Sequence, residues 1–157
     1  INASAQRRFQ FLFDNHRLSE VGEPYRNPDH YLARIVAFLN STPFLTFVRT
    51  VTGFESIAFA DAQATLYRGG HFLTQHDDAV AGKKRKAAFV LNLTAKWKAD
   101  WGGILQFLDD EGHVAEGFTP SFNALNILRV PQPHLVSLVA PFAGAGRYSV
   151  TGWLRER

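Results

Sequence analysis

Short segments with the alternating pattern of β-strands follow one another from residue 58 to residue 153. Turn signals separate them, among them Gly69-Gly70, Gly102-Gly103 and Gly112. The predicted strands cover residues 58–67, 71–76, 86–93, 103–108, 113–116, 124–129, 135–140 and 148–153. Many short strands at regular spacing predict an antiparallel barrel or a double-sheet jelly roll. The fold class is therefore mainly β.

The first third of the chain has the periodicity of helices instead. Phe9, Leu12 and Phe13 recur at helical spacing and predict a helix over residues 5–15. Two more helices are predicted at residues 30–39 and 42–52. These helices would brace one of the sheets.

The length of 157 residues suits one domain with a sizeable core. Residues 1–55 are expected to form a helical support region, and residues 56–157 the jelly-roll core. Because the chain starts at Ile1 and contains no Met, we expect it to be truncated at the N-terminus.

Composition excludes several kinds of site. The chain has no Cys, which excludes disulfides, zinc ribbons, iron–sulfur clusters and cysteine nucleophiles from this segment. No apolar run is long enough to span a bilayer and no signal-peptide pattern opens the chain, so we expect a cytoplasmic protein without membrane contact.

The net charge of +3 comes largely from the basic run at residues 83–86. Charge runs are usually solvated, so one interpretation is an exposed loop. The other is a basic rim that meets an anionic partner.

His76-Asp77-Asp78 lies at the end of a predicted strand. Side chains at positions i and i+2 of a strand share a face, so His76 and Asp78 can enter one pocket. Two imidazoles and one carboxylate bind iron(II), and His134, which opens a later strand, is the best-placed second histidine. Strand parity places His71 on the opposite face, and His113 follows a charged turn, so neither is expected to contact the metal.

Arg147 follows His134 by thirteen residues and opens the next apolar strand. A planar guanidinium binds a carboxylate through two donors, which suits a dicarboxylate co-substrate beside the metal. The alternative for Arg147 is a surface position at a Gly-rich turn.

These motifs, in this order, resemble the 2-oxoglutarate- and iron(II)-dependent dioxygenases, prolyl 4-hydroxylase branch. The resemblance covers roughly residues 56–155, most of the chain. The segments that carry it are residues 67–78, Leu91-Asn92-Leu93 with Trp97, 101–105, 120–123, His134-Leu135-Val136 and 147–153. It is strongest toward bacterial and fungal prolyl hydroxylases that act on ribosomal or translation-factor proteins.

The resemblance implies a double-stranded β-helix in which His76, Asp78 and His134 bind Fe(II). It also implies that Arg147 and Tyr67 bind 2-oxoglutarate, that Thr151 lines the same pocket, and that no other residue is catalytic.

The expected reaction is hydroxylation of a prolyl residue in a protein, with succinate and CO₂ as co-products and ascorbate as a possible further cofactor. Direct action on nucleic acid is not expected. Asp78 favours hydroxylation, since halogenating relatives lack this carboxylate. The sequence departs from relatives that have a Tyr near Val90. The loop at residues 79–86 could close over the substrate.

Two other functions fit the sequence less well. One is a cupin-like metal oxygenase that acts on a small molecule without 2-oxoglutarate. The other is a non-catalytic module with a basic binding face.

Overall fold

The computed structural model describes residues 1–157, with the side chain of Asn2 left aside. Its helices are α1 (Asn2–Ala5), α2 (Tyr31–Leu39) and α3 (Thr42–Thr52), and a 3₁₀ turn spans Ala99–Trp101. Its strands are β1 (Phe11–Leu12), β2 (Asp14–Ser19), β3 (Phe59–Tyr67), β4 (Phe72–His76), β5 (Arg85–Asn92), β6 (Leu105–Leu108), β7 (Val114–Phe118), β8 (Ala124–Arg129), β9 (His134–Val136) and β10 (Arg147–Arg155).

The strands form two five-stranded sheets. The first, the metal sheet, has the order β1-β4-β9-β6-β7, and the second, the helix-side sheet, has the order β2-β3-β10-β5-β8. The pairings are antiparallel, and most sheet neighbours are distant in sequence. The predicted mainly β, jelly-roll architecture is confirmed, including the bracing helices.

The helix-side sheet separates two apolar clusters because its side chains alternate between its two faces. One face packs against α2 and α3, with Val36, Leu39 and Val48 among the buried residues. The opposite face turns toward the metal sheet, where Tyr67 packs with Val136. Residues that β3 and β10 contribute to a site between the sheets must therefore lie on alternate positions of these strands.

The helix predicted over residues 5–15 is wrong. Phe11–Leu12 pairs with β4 in the metal sheet, and Asp14–Ser19 pairs with β3 in the helix-side sheet. Phe9, Phe11 and Phe13 also alternate with period two, and pairing with long partner strands outweighs a helical pattern of only three residues. Residues 1–55 are thus not a purely helical support, and the jelly-roll core begins before residue 56.

The other two helices lie where the sequence predicts them. Ser41 caps the first turn of α3 by accepting from the Phe44 amide, and Gly53 ends the helix at a φ of 72°. No single helix in the described chain is long and apolar enough to cross a membrane. Only α2 and α3 taken together, with a 46° bend between them, pass that test of length and composition.

Candidate metal centre

Two neighbouring strands bring His76 and His134 together. The residues are register partners on β4 and β9, and their ring centroids lie 4.1 Å apart. Leu73 pairs with Val136 in the same ladder, so β4 carries one extra residue between Leu73 and His76. This bulge points both Leu73 and His76 toward the inter-sheet space, although their positions differ by three and would alternate in a regular strand.

Asp78 reaches the histidines by a route that the sequence argument did not foresee. It lies beyond the end of β4 with a left-handed φ of 63°, so a shared strand face is the wrong reason for its position. Its Oδ1 lies 3.7 Å from His76 Nε2, and its Oδ2 lies 3.5 Å from His134 Nε2. The three ligand atoms all lie within 4.8 Å of one another, and this donor set fits Fe(II).

Backbone carbonyls orient both imidazole rings. His76 Nδ1 lies 3.0 Å from the Thr74 carbonyl oxygen, and His134 Nδ1 lies 2.7 Å from that of Gln132. Only a protonated Nδ1 can bond a carbonyl, so each Nε2 keeps its lone pair and directs it at the cluster. This is the arrangement that metal-binding histidines adopt in proteins.

The electrostatic environment favours a neutral His76. Burial and the nearby His134 lower the pKa of His76 below its ordinary value, and the attraction of Asp78 only partly opposes them. A neutral imidazole is the form that binds a metal ion.

Arg85 contacts the metal-site carboxylate, a role that the sequence did not reveal. Its Nη1 donates to the Asp78 carbonyl oxygen over 2.9 Å and lies 3.7 Å from Asp78 Oδ1. The guanidinium lies 3.6 Å from the centroid of the Trp153 ring. Arg85 thereby holds the left-handed backbone of Asp78. Because Arg85 opens β5 in one sheet and Asp78 follows β4 of the other sheet, the sequence alone does not indicate this contact.

A cavity between the sheets extends inward from Asp78 to Arg147. Arg147 is 2% exposed, and its guanidinium lies 5.0 Å from the Tyr67 ring centroid. Its Nε is buried without a hydrogen-bond partner, and among the described side chains no carboxylate lies within 4.0 Å of it. Burial lowers the pKa of Arg147. A buried, unpaired cation is costly, so the cavity is built for an anion.

The other residues predicted to contact the co-substrate line the same cavity. Tyr67 stacks on Phe13, with ring centroids 4.7 Å apart, and Thr151 Oγ1 accepts from Gln63 Nε2 over 3.4 Å. Val90 is part of the wall, so no phenol hydroxyl comes from that position. The resemblance-based roles of Tyr67 and Thr151 remain predictions that this placement permits.

The histidines that were set aside lie outside the ligand cluster. His71 precedes β4, and His113 lies in the β6–β7 turn near Asp109 and Glu111. The parity argument for His71 assumes a regular strand from residue 71 to residue 76, whereas β4 begins at Phe72 and contains a bulge before His76.

Two lysines of the basic run form ion pairs with carboxylates at the surface. Lys83 Nζ lies 3.5 Å from a carboxylate oxygen of Glu20, and Lys86 Nζ lies 3.1 Å from one of Glu156. The Lys83 carbonyl also accepts from Arg155 Nε over 2.6 Å. The second half of the 79–86 loop is therefore anchored by these contacts.

Tyr67 provides a test of the cavity's polarity. Burial raises the pKa of its hydroxyl above the ordinary 10.0, although the Arg147 charge opposes this. The raised pKa stabilises the fold below pH 10, and this contribution is lost as the pH rises further. Denaturant titrations above pH 10 measure the free energy of unfolding of the wild type and of Tyr67→Phe. For the wild type this free energy should fall by about 1.4 kcal/mol more per pH unit than for the variant. If the free energy of unfolding depends on pH equally in both proteins, the Tyr67 hydroxyl is exposed to water.

Comparison with known proteins agrees with this geometry. The family model described as 2OG-Fe(II) oxygenase superfamily matches residues 62–155. Prolyl 3-hydroxylase OGFOD1 of Mus musculus is 30% identical over 117 residues, which are 70% of this chain and 21% of that protein. The chain thus spans about a fifth of the length of this relative.

Solved structures share the fold. A prolyl-4-hydroxylase of Pseudomonas putida superposes with a TM-score of 0.73 at 22% identity, over 99% of this chain and 84% of the other. A prolyl hydroxylase of Trichoplax adhaerens, solved with a peptide of hypoxia inducible factor, gives a TM-score of 0.61 at 19% identity, over 99% and 74%. At these sequence identities the two solved structures show that the fold is shared.

Proposed function

The chain belongs to the 2OG-Fe(II) oxygenase superfamily, and from this premise we propose that it hydroxylates a prolyl residue in a protein substrate, with succinate and CO₂ as co-products. It is a 2-oxoglutarate-dependent dioxygenase, and prolyl hydroxylases are among its relatives by sequence and by fold. A ribosomal or translation-factor substrate, a cytoplasmic location and an ascorbate requirement are parts of the proposal that rest on the resemblance in sequence.

One observation carries the assignment of the co-substrate. Arg147 is buried and unpaired in the cavity that ends at Asp78. A dicarboxylate fits this arrangement because one end can pair with the guanidinium while the other end reaches the metal centre. A cupin-like oxygenase that works without 2-oxoglutarate would leave the Arg147 charge uncompensated.

Each group has a defined task in the proposed reaction. His76, Asp78 and His134 would hold Fe(II), and Arg147 with Tyr67 would hold the distal carboxylate of 2-oxoglutarate. When bound, iron and 2-oxoglutarate together supply the oxidising chemistry that activates O₂. The apolar side chains of Leu73, Val90 and Val136 line the same cavity, exclude water and strengthen the charged contacts.

The experiment measures the co-product succinate and searches for the hydroxylated substrate. The protein, reconstituted with Fe(II), is supplied with 2-oxoglutarate and O₂, and succinate is quantified by NMR. In parallel, cell proteins treated with and without the enzyme are searched for prolyl residues heavier by one oxygen atom. We expect succinate release that requires 2-oxoglutarate. We also expect a hydroxylated proline that appears only when the enzyme and 2-oxoglutarate are both present. Oxidation of a small molecule without 2-oxoglutarate would instead establish the cupin-like activity.

A further inference from the structure

Half-exposed aromatic rings flank the two histidines at both edges of the metal sheet. Phe9 lies just before edge strand β1, is 50% exposed, and has its ring centroid 5.5 Å from that of His76. On the other side the Phe107 ring lies 6.2 Å from His134, and Phe118 lies 5.8 Å from Phe107. Phe118 ends edge strand β7 and is 37% exposed. Exposed aromatic surface that adjoins a site marks it as a place where a partner binds.

Side chains of the metal sheet link these rings to one another. His76, His134 and Phe107 are register partners on β4, β9 and β6, so they form a row across the sheet. Phe9 lies beside one end of this row, at edge strand β1. At the other end Glu116 of β7 pairs with Phe107, and Phe118 lies one row further along the same edge strand, opposite Leu105. A chain that crosses the strands along this row would pass the metal centre between Phe9 and Phe118.

We propose that Phe9 and Phe118 bind the backbone segments on either side of the target proline in an extended protein substrate. The proposal rests on the proposed prolyl hydroxylation. Extended proline-containing segments dock in aromatic-lined grooves because their conformation is fixed before binding. The occupant is therefore a polyproline II-like segment, with Phe9 and Phe118 as two separate anchors.

The width of the sheet sets the length of this segment. Four strand spacings separate β1 from β7, which is about 19 Å at about 4.8 Å per spacing. A polyproline II chain rises about 3.1 Å per residue, so about six residues reach from one anchor to the other. A dipeptide can occupy the metal centre but cannot reach both rings.

The test measures binding without turnover. The full chain is loaded with Mn(II) and 2-oxoglutarate, and the probes are fluorescent oligoprolines of about six residues and of two residues. We expect Phe9→Ala and Phe118→Ala each to weaken binding of the longer probe about tenfold, as loss of an aromatic anchor does, and to leave binding of the dipeptide unchanged. Mn(II) and 2-oxoglutarate affinities should remain those of the wild type in both variants.

Phe47→Ala is the matched control. Phe47 is 49% exposed, close to Phe9, but lies on α3, beyond the helix-side sheet. The Phe47→Ala variant should bind both probes as tightly as the wild type does. The inference fails if the longer probe does not bind, or if it binds the Phe9 and Phe118 variants as tightly as the wild type. It also fails if these substitutions instead dissociate a dimer in sedimentation, because the rings would then contact a second copy. Absence of 2-oxoglutarate-dependent succinate release would overturn the proposed function separately.

Discussion

Replacing His134 by Ala is expected to abolish iron binding and succinate release. His134 is 5% exposed and supplies one of the three ligand atoms in the cluster. Loss of residues that only support a ligand costs about tenfold to a hundredfold in metal affinity, so loss of a ligand should cost at least about a hundredfold. Titration with Co(II) followed by visible absorption, and with Fe(II) under anaerobic conditions, measures the affinity directly.

Two other histidine substitutions are the controls for His134→Ala. His71→Ala and His113→Ala should bind metal as tightly as the wild type, because neither residue is part of the cluster. His134→Asn, which keeps a polar side chain of similar size, separates loss of the ligand from loss of the fold, and circular dichroism should show it folded. A folded His134→Asn variant that binds Co(II) at wild-type affinity would show that another residue completes the site.

The three residues of the candidate metal cluster could be chosen from the sequence by their residue types and their order along the chain. The geometry behind that choice could not be foreseen. A bulge in β4 and a left-handed Asp78 bring the side chains together, whereas a regular strand was assumed. Bulges depend on how neighbouring strands pair, and this pairing is not readable in a single short segment.

The N-terminal segment shows the opposite outcome. Phe9, Leu12 and Phe13 satisfy the period of a helix, and the helix predicted from them is wrong. Phe9, Phe11 and Phe13 satisfy the period of a strand. Only the pairing of β1 with β4 and of β2 with β3 decides between them, and these partners lie about 45 to 60 residues away. Phe9 and His76 are likewise far apart in sequence, so their contact could not be predicted from the sequence.

The contacts of the basic run at residues 83–86 could not be predicted from the sequence either. Glu20 and Glu156 lie far from residues 83–86 in sequence, yet they pair with Lys83 and Lys86. A count of charges along the chain does not show which of them have partners.

Replacing Arg147 by Met is expected to produce opposite changes in co-substrate binding and in stability. In the protein without ligands the Arg147 charge is buried and unpaired, so an apolar side chain of similar length should raise the free energy of unfolding by about 1 kcal/mol or more. The same substitution removes the partner of the distal carboxylate and should abolish measurable binding of 2-oxoglutarate. Iron affinity should not change, since Arg147 is not a ligand.

Arg147→Lys distinguishes a bidentate contact from a simple charge. Lys keeps the charge but not the rigid two-donor fork, and each charged hydrogen bond contributes about 1.5–3 kcal/mol, so 2-oxoglutarate should bind about tenfold more weakly or worse. Thermal melts of the Mn(II)-loaded proteins, with and without 2-oxoglutarate, give both stability and affinity. A ligand that binds only the folded state raises the melting temperature by an amount that grows with the logarithm of its concentration divided by its Kd. Arg129 does not offer a substitute cation, since its Nη2 donates to the Thr52 carbonyl at the end of α3 over 3.4 Å. A Met variant that melts below the wild type without ligand, yet is stabilised by 2-oxoglutarate as strongly as the wild type, would contradict the role of Arg147 in the cavity.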